Sequence, residues 1–294
     1  MLLNKLITIT KESKVKMNQN NKPSVAIIGC GWLGMPLAKS LIADEISVIG
    51  TRQSVAGIEL LNQHKIANEQ LVLPADSDTL AKSESFKQST LVLAFPPQLK
   101  KGNADYAEKI KNIVQAAEKS GVKRIILVNS TGIYNGLSGE VDETTTLDES
   151  DPKAKVLAQA EYELMLFSGE KSVLRLSGLL GPQRHPGRFF KPGRKLSQPD
   201  AILNLIHQDD AVGLLRKLLE VDTPMGIYNG VSRTKGTKAS FYQQAARSLN
   251  QPVPEFEQAA QINLGRRVNG DKARQLLGYT FVHDDLNDWV LSGG

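Results

Sequence analysis

From Ser24 onward, short apolar runs alternate with segments whose apolar residues recur at helical spacing. Val25–Ile28, Ile46–Gly50, Leu71–Leu73, Leu91–Phe95, Arg124–Asn129 and Ser172–Leu176 are brief and bounded by turn residues, which predicts strands. Between them, Trp32–Ala43, a stretch reaching about His64, Ala104–Ser120 and Lys153–Phe167 predict helices. In Ala104–Ser120 the apolar positions Ile110, Ile113, Val114 and Ala117 share a face, and Gly121 ends the helix. Apolar strands separated by helices imply a parallel sheet covered on both faces, and right-handed crossovers make it doubly wound. The expected fold class is α/β, a Rossmann-type doubly wound parallel sheet. Beyond Ser177 the pattern loosens. Residues 178–202, rich in Gly, Pro and Arg, read as a long loop. Asp210 is a candidate cap for a helix Ala211–Glu220, and Ser240–Leu249 and Asp271–Leu277 have helical spacing.

The first strand runs into Gly29-Cys30-Gly31-Trp32-Leu33-Gly34, a G-x-G-x-x-G turn between strand and helix. Gly29 allows the tight turn, Gly31 lets backbone approach a pyrophosphate, and Gly34 lets the helix pack on the sheet. Free N–H groups at the helix start suit phosphates. The turn therefore predicts a nicotinamide dinucleotide site. The second strand leads into Gly50-Thr51-Arg52, with no carboxylate for a ribose 2′-hydroxyl. An arginine there suits a 2′-phosphate, so NADP(H) is expected over NAD(H). Asp76, after the third strand, is placed at the adenine or in a turn, and Ala94, Phe95 and Pro96 at the end of the fourth strand complete the expected cofactor set. Cys30, at a helix start, has a redox-sensing reading; the preferred one is a small residue beside the phosphates. The domains expected are a disordered extension (1–22), an NAD(P)-binding Rossmann domain (23–177) and a smaller substrate-side lobe interleaved with it (178–294).

Charge alters this picture little. The net charge is +5 over 294 residues, and residues 1–22 hold five lysines against one glutamate, so the body is close to neutral and gives no basis for nucleic-acid binding. One cysteine rules out a disulfide framework and matches a cytoplasmic location. No stretch approaches the roughly 20 apolar residues of a membrane span. Lys5 interrupts the leading apolar run, which argues against a signal peptide, and Met17 is a candidate start.

Ser130-Thr131-Gly132-Ile133-Tyr134, after RIILVN, resembles the fifth strand and active-site turn of extended short-chain dehydrogenases/reductases, the epimerase/dehydratase group. Leu174–Pro182 (LRLSGLLGP), Asn204–Asp210 (NLIHQDD), Ile227-Tyr228-Asn229 and Lys272–Gly278 (KARQLLG) follow in that group's order. VAIIGCGWLGMPLA with GPQRHPGRFF is similar to its YeeZ-like bacterial branch. The resemblance implies hydride transfer with a nicotinamide cofactor and a small-molecule substrate, a sugar nucleotide first among them. It implies Ser130 as the hydroxyl that orients a substrate carbonyl, and Arg184, His185 and Arg188 facing the substrate's phosphates. A homodimer is the assembly considered.

The chain departs from the group at its catalytic heart. Ile28 replaces the first glycine of the group's turn, and no Tyr-x-x-x-Lys occurs: four residues after the six tyrosines stand Ile110, Ser138, Leu166, Ser232, Ala246 and His283. Aligned on Ala160-Glu161, Lys153 takes the tyrosine position and Leu157 the lysine position; a two-residue shift places Lys155 there instead. Tyr134, Tyr162, Lys153 and Lys155 are the substitute proton donors. His207 has no metal-ligand partner at usable spacing, and no metal site is expected. Three readings follow: an atypical sugar-nucleotide epimerase or reductase, a non-catalytic NADP(H)-sensing regulator, and an NADPH-dependent aldehyde or ketone reductase.

Overall fold

The computed structural model describes residues 24–98, 105–190, 193, 195–220, 222–258 and 261–294. The expected extension 1–22 lies outside the described residues. The strands are β1 (Ser24–Ile28), β2 (Ser47–Arg52), β3 (Ala67–Gln70), β4 (Thr90–Leu93), β5 (Arg124–Ser130), β6 (Gly139–Val141), β7 (Glu170–Leu176), β8 (Gly178–Leu180), β9 (Leu205–His207), β10 (Gly226–Gly230) and β11 (Arg266–Val268). The helices are α1 (Gly34–Ala43), α2 (Val55–Gln63), α3 (Ser77–Ala81), α4 (Tyr106–Ser120), α5 (Pro152–Met165), α6 (Gln208–Leu219), α7 (Lys238–Ser248), α8 (Asp271–Leu276) and α9 (Leu286–Leu291).

Seven strands form one parallel sheet in the order β10-β7-β5-β4-β1-β2-β3. Alternation along each strand explains the two cores. Ala26 and Ile28 face one layer with Leu91, Leu93, Ile125 and Leu127, against α4 and α5. Val25 and Ile27 face the other with Val92, Ile126 and Leu174, against α1 and α6. From β1 the chain moves outward to β2 and β3, then returns to β4 on the other side of β1. The carboxyl ends of β1 and β4 therefore flank a topological switch point, the place where open α/β sheets hold ligands.

The structure shifts several expected elements. The third strand is Ala67–Gln70, with Leu71–Leu73 in the loop after it. It pairs along Ile49–Arg52 at the sheet edge, where polar residues suffice, so its apolar signal is weak. The helix start near Asp210 moves forward: His207 is the N-cap, its ring accepting the Asp209 N–H. Asp210 is fully buried inside α6 and receives Tyr279 Oη–H at 3.0 Å, the Val282 N–H at 2.6 Å and the His283 N–H at 3.0 Å. It fixes the chain's last segment to α6. Within 178–202 the structure contains β8 and a short 3-10 turn Pro186–Arg188. Leu180, Leu203, Leu205, Phe241, Leu286 and Val290 form a smaller core beside the sheet.

Candidate active site

The switch point opens into a cleft of about 600 Å³. It runs from Gly29, Gly31, Trp32 and Leu33 past Thr51–Ser54 and Ala94–Gln98 to Val128, Asn129 and Ser130. Two strands tie the glycine turn in place. Thr51 is buried, its Oγ1 accepts the Gly29 N–H at 3.1 Å, and its carbonyl accepts the Cys30 N–H at 2.9 Å. Gly29 has φ +88°, and a Cβ there would lie 2.9 Å from Phe95 Cβ. Both facts demand glycine. A Cβ on Gly31 would stand 3.2 Å from the Arg52 guanidinium. Arg52 thus reaches from the end of β2 to the turn, with its Nε buried and unpartnered.

Cys30 is buried away from the cleft against Gly50, where a Cβ would come within 2.9 Å of its sulfur. Burial pushes its thiol up to about 11, although the nearby Arg52 acts in the opposite direction. This favours the small-residue reading over redox sensing. Asp76 caps α3, its carboxylate receiving the N–H groups of Asp78 and Thr79 and the Thr79 hydroxyl. The Thr79 bonds hold its pKa below the usual carboxylate value. Asp76 is not among the cleft-lining residues; Gln53, Ser54, Leu71 and Leu73 occupy that end.

At the other end, Ser130 Oγ accepts the Gly132 N–H at 3.0 Å, which leaves its own proton free to donate. Lys153, in the first turn of α5, folds back over this turn: a Cβ on Gly132 would lie 2.6 Å from Lys153 Nζ. Lys155, the fourth residue of α5, is exposed, and Tyr162 is exposed farther along the same helix.

Tyr134 is not brought to the cleft. It is fully buried, its hydroxyl donating to Asn229 Oδ1 at 3.0 Å and accepting from Arg175 Nη1 at 2.7 Å. Arg175 is paired twice with Glu161, at 2.9 and 2.6 Å, and Asn129 Nδ2 donates to the same carboxylate at 2.6 Å. Burial raises the Tyr134 pKa, with the adjacent Arg175 opposing. The tyrosine belongs to a buried polar network between α5 and the sheet.

The three basic-loop residues separate. Arg184 lines the cleft, its guanidinium 4.1 Å above the Trp32 ring. Trp32 Nε1 donates to the Pro182 carbonyl at 2.9 Å and holds the loop there. His185 is buried, caps the short 3-10 turn through Nδ1 and packs on Trp289. Arg188 is exposed at the end of that turn. Trp289 also touches His207, whose ring lies 4.0 Å from that of His283. Donor atoms of His207, Asp209 and His283 lie within 4.8 Å of one another, a grouping that sequence spacing does not reveal.

No family model matches the chain. It is 33% identical over 267 residues to Protein YeeZ of Escherichia coli strain K12, covering 89% of this chain and 96% of that protein. This chain belongs to the YeeZ family. WbmG of Bordetella bronchiseptica, solved with NAD and also with NAD and UDP, shares the fold: the NAD complex is 18% identical, with a TM-score of 0.75 and coverage of 94% of both chains. The human epimerase family protein SDR39U1, solved with NADPH, is 20% identical with a TM-score of 0.70, covering 92% of this chain and 98% of that one. The cleft of this YeeZ-like chain also holds residues that motif reading missed. Asn129 Oδ1 is buried and unpartnered at the cleft wall, and Ser177 and Leu179 line the same wall. The position of Asn129, just before Ser130 on β5, was the available signal.

Proposed function

We propose that this protein is a nicotinamide-dinucleotide-dependent oxidoreductase or epimerase acting on a small anionic carbonyl or alcohol substrate. One observation carries the reading: a single cleft joins the glycine turn and Arg52 to the Ser130 hydroxyl. The residues present suit the dinucleotide. Gly31 keeps the space in front of the Arg52 guanidinium clear, and that guanidinium, at the cleft wall, suits a phosphate, which favours NADP(H). When bound, the nicotinamide gives or takes a hydride. Ser130 donates a hydrogen bond to the substrate oxygen and orients it, and the Lys153 ammonium transfers the one proton needed as that oxygen becomes an alcohol, leaving the neutral amine; oxidation runs these steps in reverse. Arg184, stacked on Trp32, contributes to phosphate binding within the same cleft.

Calorimetric titration with NADP and NAD, followed by a 340 nm screen of aldehydes, ketones and keto-sugar nucleotides, tests the reading. Redox-neutral epimerisation is followed by product analysis. NADP binding with turnover that falls in Ser130→Ala is expected; turnover indifferent to Ser130→Ala removes this site. The burial of Tyr134 in its network supports a second reading, a dinucleotide sensor without chemistry. It is distinguished by tight dinucleotide binding, no turnover or product, and a dinucleotide-dependent change in the binding of a protein partner.

A further inference from the structure

Two lone pairs face one another at the start of α6. His207 caps that helix by accepting the Asp209 N–H at Nδ1, 3.2 Å away, so Nδ1 is the unprotonated nitrogen of its neutral ring. Asp209 Oδ2 lies 3.3 Å from the same Nδ1. An imidazole lone pair and a carboxylate oxygen so placed repel unless a cation stands between them. His283 brings a third donor from the last segment of the chain: its Nε2 is also 3.3 Å from Asp209 Oδ2. Sequence spacing leaves His207 without a metal-ligand partner; the fold supplies two.

The separations are those of a zinc site. Ligands about 2.0–2.1 Å from a tetrahedral ion stand about 3.3–3.4 Å from one another, and both Asp209 edges measure 3.3 Å. Charged hydrogen bonds are shorter, about 2.7–2.9 Å. All three donor atoms lie within 4.8 Å of one another, and rotation of the partly exposed His283 ring closes the third edge. His207 is held in place. Its side chain is 3% exposed, its ring packs on Trp289 and His283, and its Nε2 has no partner to turn it away. Asp209, with 58% of its side chain exposed, opens the group to solvent. Two imidazoles and one carboxylate suit zinc, whereas magnesium and calcium prefer shells of oxygen. The positive end of α6 disfavours a cation, and the Asp209 charge offsets it.

We propose that His207 Nδ1, the Asp209 carboxylate and His283 Nε2 bind a zinc ion that clamps the last segment of the chain to α6. Three protein ligands leave a fourth position for water. One lone pair serves either the cap or the ion, so zinc displaces the Asp209 N–H from Nδ1. His283 lies in the segment leading into α9, whose Val282 and His283 N–H groups already reach Asp210. α9 sets Trp289 against the His207 ring and gives Leu286 and Val290 to the smaller core. The ion therefore fastens that core at the start of α6. The three ligands are not among the residues lining the cleft, so the site is separate from the one proposed for the dinucleotide.

The test is calorimetry on the full, tag-free chain, stripped of metal with a chelator and titrated with zinc chloride near neutral pH. The parent should bind one equivalent saturably, and magnesium chloride should not compete. Asp209→Asn and His283→Ala should each weaken zinc binding by at least about tenfold, since loss of even a residue that only supports a ligand costs 10–100-fold. Saturating zinc should raise the melting temperature of the parent and leave that of both variants unchanged. Cobalt chloride reads the geometry without any variant: the parent should develop the intense visible absorption of a four-coordinate ion. Absence of saturable zinc binding by the parent overturns the proposal. So does zinc affinity unchanged in both variants, which puts the ion elsewhere, or a cobalt complex with only the weak absorption of a six-coordinate ion.

Discussion

Arg52 gives the sharpest residue-scale test of cofactor choice. Its side chain leans on Gly57 at the start of α2 and offers its guanidinium to the glycine turn. Arg52→Ala should cost NADP about 1.5–3 kcal/mol of binding, the range for a charged hydrogen bond, and leave NAD nearly unchanged in a calorimetric comparison. Gly31→Asp should abolish binding of both, because the new carboxylate would take the guanidinium and repel the pyrophosphate. The glycine turn was legible in the sequence because its geometry is local: strand, turn and helix follow one another directly from Ser24 to Ala43, and each glycine answers a contact inside that span or from the ends of the two neighbouring strands. The His207 cluster and Tyr134 were not legible in the same way. Tyr134 meets Asn229 across 95 positions and Asp209 meets His283 across 74, so neither role leaves a trace in spacing.

The main sheet was readable at the scale of elements because strands buried on both faces must be largely apolar, as Leu91, Val92 and Leu93 of β4 are. Elements stabilised by a distant partner escaped. β6 and β11 are three residues each, and their apolar content is slight; they exist because Gly139–Val141 pairs with Arg266–Val268. Helix α5 was legible from its period, but its anchoring was not. It is held to the sheet by the buried pair of Glu161 with Arg175, to which Asn129 and Tyr134 add hydrogen bonds. Removing one partner of such a pair leaves an uncompensated charge. Glu161→Gln should therefore destabilise the fold by about 3–5 kcal/mol in urea unfolding. Tyr134→Phe should cost about 1 kcal/mol of stability in urea unfolding and leave dinucleotide affinity and turnover at the parent values, whereas loss of turnover at unchanged affinity would mark a catalytic tyrosine.

Acid sensitivity belongs to the whole molecule, because it reports how the chain's last segment is docked. Burial, with the neighbouring His283, pulls His207 down to about 4, while Asp209 opposes. In the unfolded chain the imidazole takes its proton near its ordinary 6.5, whereas the folded one resists until about 4. Its contribution is thus complete above about 6.5 and is lost as pH falls towards 4, on the order of 1–3 kcal/mol. Asp210 works the other way, since burial raises its pKa. Melting curves of the metal-free protein from pH 7.5 to 4.5 should fall more steeply for the parent than for His207→Asn, which can still cap α6; parallel curves would refute this. The sulfur wedged between Gly50 and the glycine turn adds a different opportunity. It is the chain's one cysteine, wholly enclosed, and held far from ionisation. Alkylating reagents can reach it only when β1 and β2 part, so its modification rate is a clock for opening of the phosphate-binding region. Any molecule that occupies the neighbouring cleft should slow that clock by one plus its concentration over its dissociation constant. Candidate ligands can then be ranked by mass spectrometry without an assay for the reaction.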